Sequence, residues 1–235
     1  MVPKTTSSRQ CHSDLPVVPG RVAIFDLDRT IVPGSSLVDL ARLLAAHRLL
    51  RRRTVLRHIA ASQSFARKGA GDGRVDQIRR AALHAMIGVE HAQLIEVAHE
   101  AGQAVAERAY PGARWLLDHH LAVGDFCVLL SAAPQELVDA VASALGIHRA
   151  VGSRGAVDGG RLTGELDGPF CYGEGKLTRL TSEVGPIDFS TAFGYADSAS
   201  DLPVLEACGH PVAINPDREL CRHAHAAGWP VVRFG

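Results

Sequence analysis

Short apolar runs alternate with amphipathic segments along most of the 235-residue chain. Residues 21–26 form the first run, which is too short for a helix and is typical of a strand buried on both faces. Comparable runs predict further strands at 126–130, 150–152, 191–195, 212–214 and 231–234. Helical patterns lie between these runs, for example at 113–120 and 135–145. This alternation predicts an α/β fold with a doubly wound, Rossmann-like parallel sheet.

A different pattern occupies residues 35–108, where Leu, Ala, Arg and His dominate and β-branched residues are sparse. From Leu37 onwards, apolar residues recur at the spacing of an amphipathic helix. We therefore predict an all-helical cap, inserted into a core that consists of 21–34 and 109–235. Glycines within 158–164 predict a small hairpin at one edge of the core.

The N-terminal residues and the cysteines indicate where the protein works. Residues 1–20 are rich in Ser, Thr and Pro and lack the apolar segment of a secretory signal, so we predict a disordered leader. The five cysteines are widely spaced and never form a CxxC pair, which favours reduced thiols over a zinc site. No run approaches the ~20 apolar residues that a membrane span requires. We therefore predict a cytoplasmic protein without membrane insertion.

The charge of the chain restricts its partners. The 25 Lys and Arg residues balance 25 Asp and Glu residues, so no overall field favours nucleic acid or an anionic membrane. Basic residues are nevertheless concentrated between Arg42 and Arg80, where eleven stand against two acids. This basic block must face either solvent or an anion.

Polar side chains follow three of the predicted strands. Asp26 and Asp28 end the first, Ser131 ends the second, and Asp197 and Asp201 follow a third. One aspartate after a strand is ordinarily a turn or a helix cap. Two close pairs of carboxylates at one end of a sheet repel each other unless a cation compensates them. Four carboxylates there suggest a divalent cation with oxygen ligands, best matched by Mg²⁺.

Two further features suggest an anion at the same place. Ser131 and the small residue Ala132 precede Pro134 and a predicted helix, whose free N–H groups would favour a phosphate. Lys176 stands at the start of another predicted helix, where the helix dipole disfavours a cation without an anionic partner. Together with the metal, these groups describe a clamp for a phosphoryl group.

These motifs resemble those of the haloacid dehalogenase superfamily, in particular its phosphoserine-phosphatase-like branch with a helical cap. The order is DLDRT at 26–30, Ser131 after an apolar strand, Lys176 in GEGK, and ADSASD at 196–201. Any one of these motifs is weak by itself, whereas the ordered set is specific. The resemblance extends from about Arg21 to Trp229, which is nearly the whole chain.

The resemblance implies a role for each matched residue. Asp26 would be the nucleophile that forms an aspartyl-phosphate, and Asp28 the general acid and then the general base. Thr30 and Ser131, with the adjacent Ala132, would bind the phosphoryl oxygens. Lys176 would neutralise the charge that develops there.

The resemblance also implies a magnesium site. Mg²⁺ would be held by the Asp26 carboxylate, the Asp28 backbone carbonyl and Asp197, while Asp201 would orient Lys176 or a metal-bound water. The implied function is a Mg²⁺-dependent phosphatase that hydrolyses a small phosphorylated metabolite. The same core also serves phosphotransferases and mutases. A non-enzymatic scaffold that binds an acidic partner through its basic cap is the other alternative.

Three residues depart from the pattern of the family. Ala196 stands before Asp197 where the family often has glycine, a change that we expect to be harmless. Arg29 replaces a glycine or small residue, so its side chain would either point away or add charge at the entrance. Ser35 occupies the position where phosphoserine phosphatases usually carry a glutamate that reads the substrate amino group. Phosphoserine is therefore not the expected substrate.

Overall fold

The computed structural model describes residues 20–50 and 72–234. The predicted leader and much of the basic block, including Arg51, Arg57 and Lys68, lie outside the described residues. The strands are β1 (Val22–Phe25), β2 (Phe126–Pro134), β3 (Arg149–Ser153), β4 (Gly155–Asp158), β5 (Arg161–Leu166), β6 (Phe193–Ala196), β7 (His210–Ile214) and β8 (Val231–Val232). The helices are α1 (Ser36–Ala46), α2 (Asp72–Ala85), α3 (His91–Ala106), α4 (Pro111–Ala122), α5 (Gln135–Leu145), α6 (Glu174–Val184), α7 (Leu202–Ala207) and α8 (Arg218–Ala227). Short 3₁₀ turns span Phe189–Thr191 and Ala199–Asp201.

Six strands form one parallel sheet in the order β3-β2-β1-β6-β7-β8. The chain proceeds from β1 to β2 and β3 on one side and then continues with β6, β7 and β8 on the other. Strand order therefore reverses between β1 and β6, which is where ligands bind in open α/β sheets. Phe25, the last residue of β1, pairs with both Leu129 of β2 and Tyr195 of β6, so the three central strands are in register at this edge. The predicted doubly wound α/β fold is confirmed.

The central strands are buried on both faces, as their apolar composition predicts. Ala23 and Phe25 of β1 pack into one apolar cluster, whereas Val22 and Ile24 pack into a second cluster on the opposite face. This division follows from the alternation of side chains along a strand. The two clusters hold β1 rigidly, and Asp26 follows its last residue directly.

One predicted strand boundary is wrong in a way that affects the site. The sequence pattern ends the second strand before Ser131, but β2 continues to Pro134. Ser131 and Ala132 therefore lie in a strand and not at a helix N-terminus. A register shift against β3 occurs between Leu130 and Pro134, and the Ser153 hydroxyl donates to the Ala132 carbonyl at 2.9 Å. These contacts keep small residues extended where their sequence suggests a turn.

Other predicted boundaries either agree with the structure or differ from it by a few residues. Helix α5 begins at Gln135 and is followed by Gly146 in the left-handed conformation, as predicted. Strand β8 covers only Val231–Val232, because the next residues turn towards β7 and the Phe234 N–H donates to Asn215 Oδ1. Strands β4 and β5 form the predicted antiparallel hairpin.

Helices α1, α2 and α3 lie between β1 and β2 in the chain and pack on the core at two places. Helix α3 packs closely against α5, because Gly102 leaves no side chain between its backbone and Ala140. Helix α2 contacts β5 of the hairpin. Leu40 and Leu94 belong to the same apolar cluster as Phe25. The division into a core and a cap at 35–108 stays a prediction. Within the described ranges, no helix is both long and apolar enough to cross a membrane.

Candidate active site

Asp26 lies at the end of β1 and is the centre of the candidate site. Its side chain is only 10% exposed, and its backbone N–H donates to the Tyr195 carbonyl of β6 at 2.9 Å. Lys176 Nζ donates to Asp26 Oδ1 at 2.6 Å and also forms an ion pair with Asp201. The site thus combines the end of β1, the first turn of α6 and the turn after β6, as the order of the motifs predicts.

Lys176 is a fully charged residue in a buried position. Burial by itself would lower the pKa of Lys176, but the carboxylates of Asp201 and Asp26 outweigh that effect and raise it. The lysine therefore stays protonated and holds the two carboxylates together. These two buried anions explain why a cation is tolerated in the first turn of α6, where the helix dipole disfavours it.

Three carboxylates come together beside this lysine. One oxygen from each of Asp26, Asp197 and Asp201 lies within 4.8 Å of the others. Burial is the largest cause that raises the pKa of both Asp197 and Asp201, and the charge of Asp26 adds to it. Asp197 Oδ2 is buried and accepts no hydrogen bond from the described residues. A hard cation with oxygen ligands fits this donor set.

Asp28 lies next to this cluster but outside it. Its carboxylate accepts a hydrogen bond from the Ser36 N–H, the first of helix α1, at 2.8 Å. Loss of water around the carboxyl group raises the pKa of Asp28 to about 6, and the charge of Asp26 contributes in the same direction. The hydrogen bond from Ser36 opposes these effects. Asp28 is thus a carboxyl group that can exchange a proton near neutral pH.

The residues predicted to bind phosphoryl oxygens lie at the same end of the sheet. Thr30 is fully buried, and its hydroxyl has no hydrogen-bond partner among the described residues. The Ser131 hydroxyl accepts a hydrogen bond from the Ala133 N–H at 3.2 Å. The Ala132 carbonyl is bound by Ser153. Because β1 and β2 are parallel and Phe25 pairs with Leu129, Ser131 lies on the same level as the DLDRT segment.

The structure shows which way the Arg29 side chain points, a choice that the sequence leaves open. Its guanidinium forms an ion pair with Asp197. The side chain therefore points towards the site, and its charge is paired there. The residue has a positive φ of 63°, a conformation that favours glycine. Its N–H donates to the Val32 carbonyl at 2.7 Å, and its carbonyl accepts from Asn215 Nδ2 at 2.8 Å. These two bonds hold the backbone of Arg29 in place.

Sequence reasoning missed two residues that support the site, Asp217 at the turn after β6 and Asn215 at Arg29. The Asp217 N–H donates to the Asp197 carbonyl at 2.7 Å, and Asp217 Oδ2 accepts from the Ala199 N–H at 3.1 Å. Asn215 binds Arg29 from the same segment. The usable signal is the run 215–217, Asn-Pro-Asp, directly after a predicted strand. Polar residues there reach the same end of the sheet as the motifs.

Fold and site together define an α/β enzyme whose acidic centre lies at the switch point of a parallel sheet. The chain belongs to the haloacid dehalogenase-like hydrolase family, whose model matches residues 23–206. This confirms the resemblance seen in the four motifs and the assignment of the chain as an enzyme.

Individual proteins support the same assignment. A Mycobacterium tuberculosis protein named probable phosphatase is 36% identical over 217 residues, which cover 90% of this chain and 75% of that protein. A second protein of this organism, named phosphoserine phosphatase, is 34% identical over 232 residues, covering 97% and 74%. A solved structure from Bordetella pertussis Tohama I, of unknown function, covers 90% of this chain and 97% of its own, at 27% identity and a TM-score of 0.76.

Proposed function

We propose that this hydrolase is a Mg²⁺-dependent phosphatase that hydrolyses a small-metabolite phosphomonoester through an aspartyl-phosphate on Asp26. The proposal rests on the contact between Asp26 and Lys176 inside a buried cluster with Asp197 and Asp201. A carboxylate attacks a phosphate dianion only where cations screen their mutual repulsion. The name of the relative that is 36% identical supports a phosphatase.

In the first half of the reaction, a carboxylate oxygen of Asp26 attacks phosphorus and the bond between phosphorus and the alcohol oxygen breaks. Asp28 gives its proton to the departing oxygen, so that the product is a neutral alcohol. The half-buried position of Asp28 and its raised pKa agree with this role. Lys176 stays protonated and stabilises the negative charge beside Asp26.

In the second half, water attacks the phosphorus of the aspartyl-phosphate while the Asp28 carboxylate takes its proton. The bond between phosphorus and Asp26 breaks, inorganic phosphate is released and both carboxyl groups return to their starting states. The Thr30 hydroxyl has no partner among the described residues and would donate to a phosphoryl oxygen in both halves of the reaction. Ser131 and the N–H of Ala132 are the further groups that we assign to these oxygens.

Asp26 and Asp197 would hold Mg²⁺ together with the Asp28 carbonyl, and Asp201 would keep Lys176 in place. The bound ion supplies positive charge for the phosphoryl oxygens and so lowers the repulsion that Asp26 meets. Asp197 Oδ2, which accepts no hydrogen bond from the described residues, and the hard oxygen donors support this assignment.

The substrate class that we propose is a small phosphorylated metabolite. The relative named phosphoserine phosphatase supports this class, and Ser35 argues against a substrate that carries an ammonium group near its phosphate. The cytoplasmic location expected from the sequence would give the enzyme access to such metabolites.

The full chain should release phosphate from an aryl phosphate and from small metabolite monophosphates in MgCl₂, and lose this activity in excess EDTA. Asp26→Asn should abolish turnover, because it removes the attacking anion at nearly constant volume. Asp118→Asn is the matched control, since Asp118 is exposed and its ion pair within the described residues is with Arg114 on the outside of α4.

Two further results would discriminate the mechanism. An acid-quenched reaction should contain a phosphorylated peptide with residue 26, and this peptide should be absent from Asp26→Asn. Full turnover by Asp26→Asn, or full activity in EDTA, would refute the proposal. Transfer of phosphate to an added alcohol in preference to water would instead identify a phosphotransferase on the same core.

A further inference from the structure

Within the described part of the chain, two side-chain cations face the three clustered carboxylates. Lys176 lies between Asp26 and Asp201, and Arg29 forms an ion pair with Asp197. They differ in how firmly the protein encloses them, because the Lys176 side chain is 4% exposed and the Arg29 side chain 34%. Arg29 is therefore the cation that can leave the cluster for solvent while the surrounding fold stays closed.

The backbone of Arg29 does not need to move for this to happen. Val32 and Asn215 fix its N–H and carbonyl groups through hydrogen bonds of 2.7 and 2.8 Å. The anchored Cα keeps the guanidinium within reach of Asp197, so that the side chain can leave and return by rotation about its own bonds. Such rotamer changes of a partly exposed side chain are fast.

The ion pair itself is of a kind that a divalent cation can displace. Arginine binds a carboxylate strongly when two parallel N–H···O bonds form. Asp197 Oδ2 faces Arg29 but accepts no hydrogen bond within the described part of the chain. The pair thus lacks the hydrogen-bond geometry of a strong arginine–carboxylate pair, and a divalent cation brings twice the charge of the guanidinium to the same oxygen.

On the basis of the phosphatase function above, we propose that the Arg29 side chain competes with the divalent cation for the metal site. Its guanidinium and the divalent cation bind the Asp197 carboxylate alternately. When no metal is bound, Arg29 neutralises the buried Asp197 carboxylate. When metal is added, the ion must first displace the guanidinium from this carboxylate. Arg29 therefore lowers the affinity for metal and stabilises the metal-free protein.

Isothermal titration of the metal-free chain with MgCl₂ tests this competition without any turnover. Arg29→Gln should bind Mg²⁺ more tightly than wild type, by roughly three- to tenfold, as expected for loss of a partly exposed competing ion pair. Asp197→Asn should bind it far more weakly, because it removes the shared carboxylate. Arg48→Gln is the matched control, since Arg48 is exposed and has nearly the same positive φ, 62°.

Thermal unfolding gives a second readout of the same equilibrium. In EDTA, Arg29→Gln should unfold at a lower temperature than wild type, because Asp197 then lacks a cation. Added MgCl₂ should raise the unfolding temperature of Arg29→Gln by more than that of wild type. Arg29→Asn should behave like Arg29→Gln, and it provides a variant whose side chain tolerates a positive φ if glutamine does not fold.

Unchanged or weaker Mg²⁺ binding by both Arg29 variants, with normal folding, would overturn this inference and leave the phosphatase function intact. Failure of the wild-type chain to bind Mg²⁺ at millimolar concentration would refute the metal site and with it both proposals. Tighter binding by Arg48→Gln as well would show a general charge effect and would also count against competition at Asp197.

Discussion

Lys176 should contribute strongly to the stability of the protein, because it neutralises two buried carboxylates. Lys176→Met leaves Asp26 and Asp201 facing each other without their shared cation. Breaking a buried ion pair by removing one partner destabilises a protein by ~3–5 kcal/mol. We expect a loss of this size in the free energy of unfolding, measured by urea denaturation in EDTA.

The control for this prediction is Arg154→Met, which removes an exposed cation that pairs with Glu183. Its free energy of unfolding should change by less than ~1 kcal/mol. Addition of Asp201→Asn to Lys176→Met should restore part of the lost stability, since it removes one of the unpaired charges. Equal effects of Lys176→Met and Arg154→Met would show that the buried pair does not stabilise the fold.

Asp28 should affect the rate of reaction far more than the integrity of the site. Asp28→Asn keeps the size of the side chain but cannot give or take a proton. We expect kcat to fall by a factor of about 10² to 10⁴, the usual contribution of a positioned acid and base. Mg²⁺ binding, measured by titration, should change little because the Asp28 carboxylate lies outside the three-carboxylate cluster. A normal kcat would show that Asp28 serves only to anchor Ser36.

For individual residues, the sequence predicts which residues form the site better than it predicts which residues they contact. The spacing of Asp26, Asp197 and Asp201 after predicted strands was sufficient to place them together, because parallel strands end at one edge. The partner of Arg29 could not be predicted in this way. It depends on a positive φ and on hydrogen bonds to the nearby Val32 and to Asn215, which comes from a distant part of the chain.

Among the elements, the contact between α3 and α5 depends on a single glycine. A Cβ added at Gly102 would lie 2.4 Å from Ala140 Cβ, closer than packed atoms allow. Gly102→Ala should therefore lower the free energy of unfolding by ~1–3 kcal/mol. The intrinsic helix preference of alanine over glycine, about 1 kcal/mol, acts in the opposite direction and keeps the net loss at the lower end of that range.

Gly73→Ala provides the matched comparison. Gly73 lies in helix α2, and among the described residues beyond its own turn no atom lies within 4 Å of a Cβ added there. This variant should be neutral or slightly more stable in the same urea titration. A stable Gly102→Ala would mean that α3 can move away from α5 at little cost.

A buried polar network connects α4 to the central strands and should make stability depend on pH. His120 Nδ1 lies 2.7 Å from Asp125 Oδ2, Nε2 lies 2.8 Å from the Tyr195 hydroxyl, and Arg21 also binds Asp125. Burial is the largest cause that lowers the pKa of His120, against the opposing charge of Asp125. The neutral ring thus donates to Asp125 and accepts from Tyr195.

The lowered pKa of His120 determines how stability changes with pH. Below pH ~6.5 the unfolded chain binds a proton at His120 that the folded chain does not bind, so stability falls as the pH falls. The hydrogen bonds to Asp125 lower its pKa too, in spite of its burial, and that contribution is lost at more acidic pH. Between pH 7 and 5, His120→Gln should therefore show a flatter stability profile than wild type, by up to about 1.4 kcal/mol per pH unit. His119→Gln, on the exposed neighbour, should keep the wild-type slope.

Element boundaries were predictable only where local chemistry decides them. Gly146 ends α5 as the sequence indicates, because a left-handed residue stops a helix locally. The extension of β2 through Ser131 and Ala132 was not predictable, since it depends on pairing with β3 and on the hydroxyl of Ser153. Tertiary hydrogen bonds of this kind leave no periodic signal in the chain.

Substrate choice is a property of the whole molecule, because the substrate must meet both the acidic centre of the sheet and the residues that follow β1. Ser35 immediately precedes helix α1 and lies beside Asp28, whose ionised form its side chain stabilises. It offers a neutral hydroxyl where an amine-reading glutamate would stand. The segment 35–108 is basic in composition, so it adds no attraction for an ammonium group.

We therefore expect kcat/KM for glycerol phosphate or a sugar phosphate to exceed that for phosphoserine. A charge-assisted hydrogen bond contributes ~1.5–3 kcal/mol, so the missing carboxylate should lower kcat/KM for phosphoserine by about one to two orders of magnitude. Ser35→Glu should raise kcat/KM for phosphoserine by roughly tenfold or more and leave that for glycerol phosphate unchanged or lower. Ser143→Glu, at an exposed position of α5, adds the same charge away from the site and should change neither value. If phosphoserine is the best wild-type substrate by tenfold or more, Ser35 does not exclude an ammonium group, and the substrate amine is read by another part of the chain.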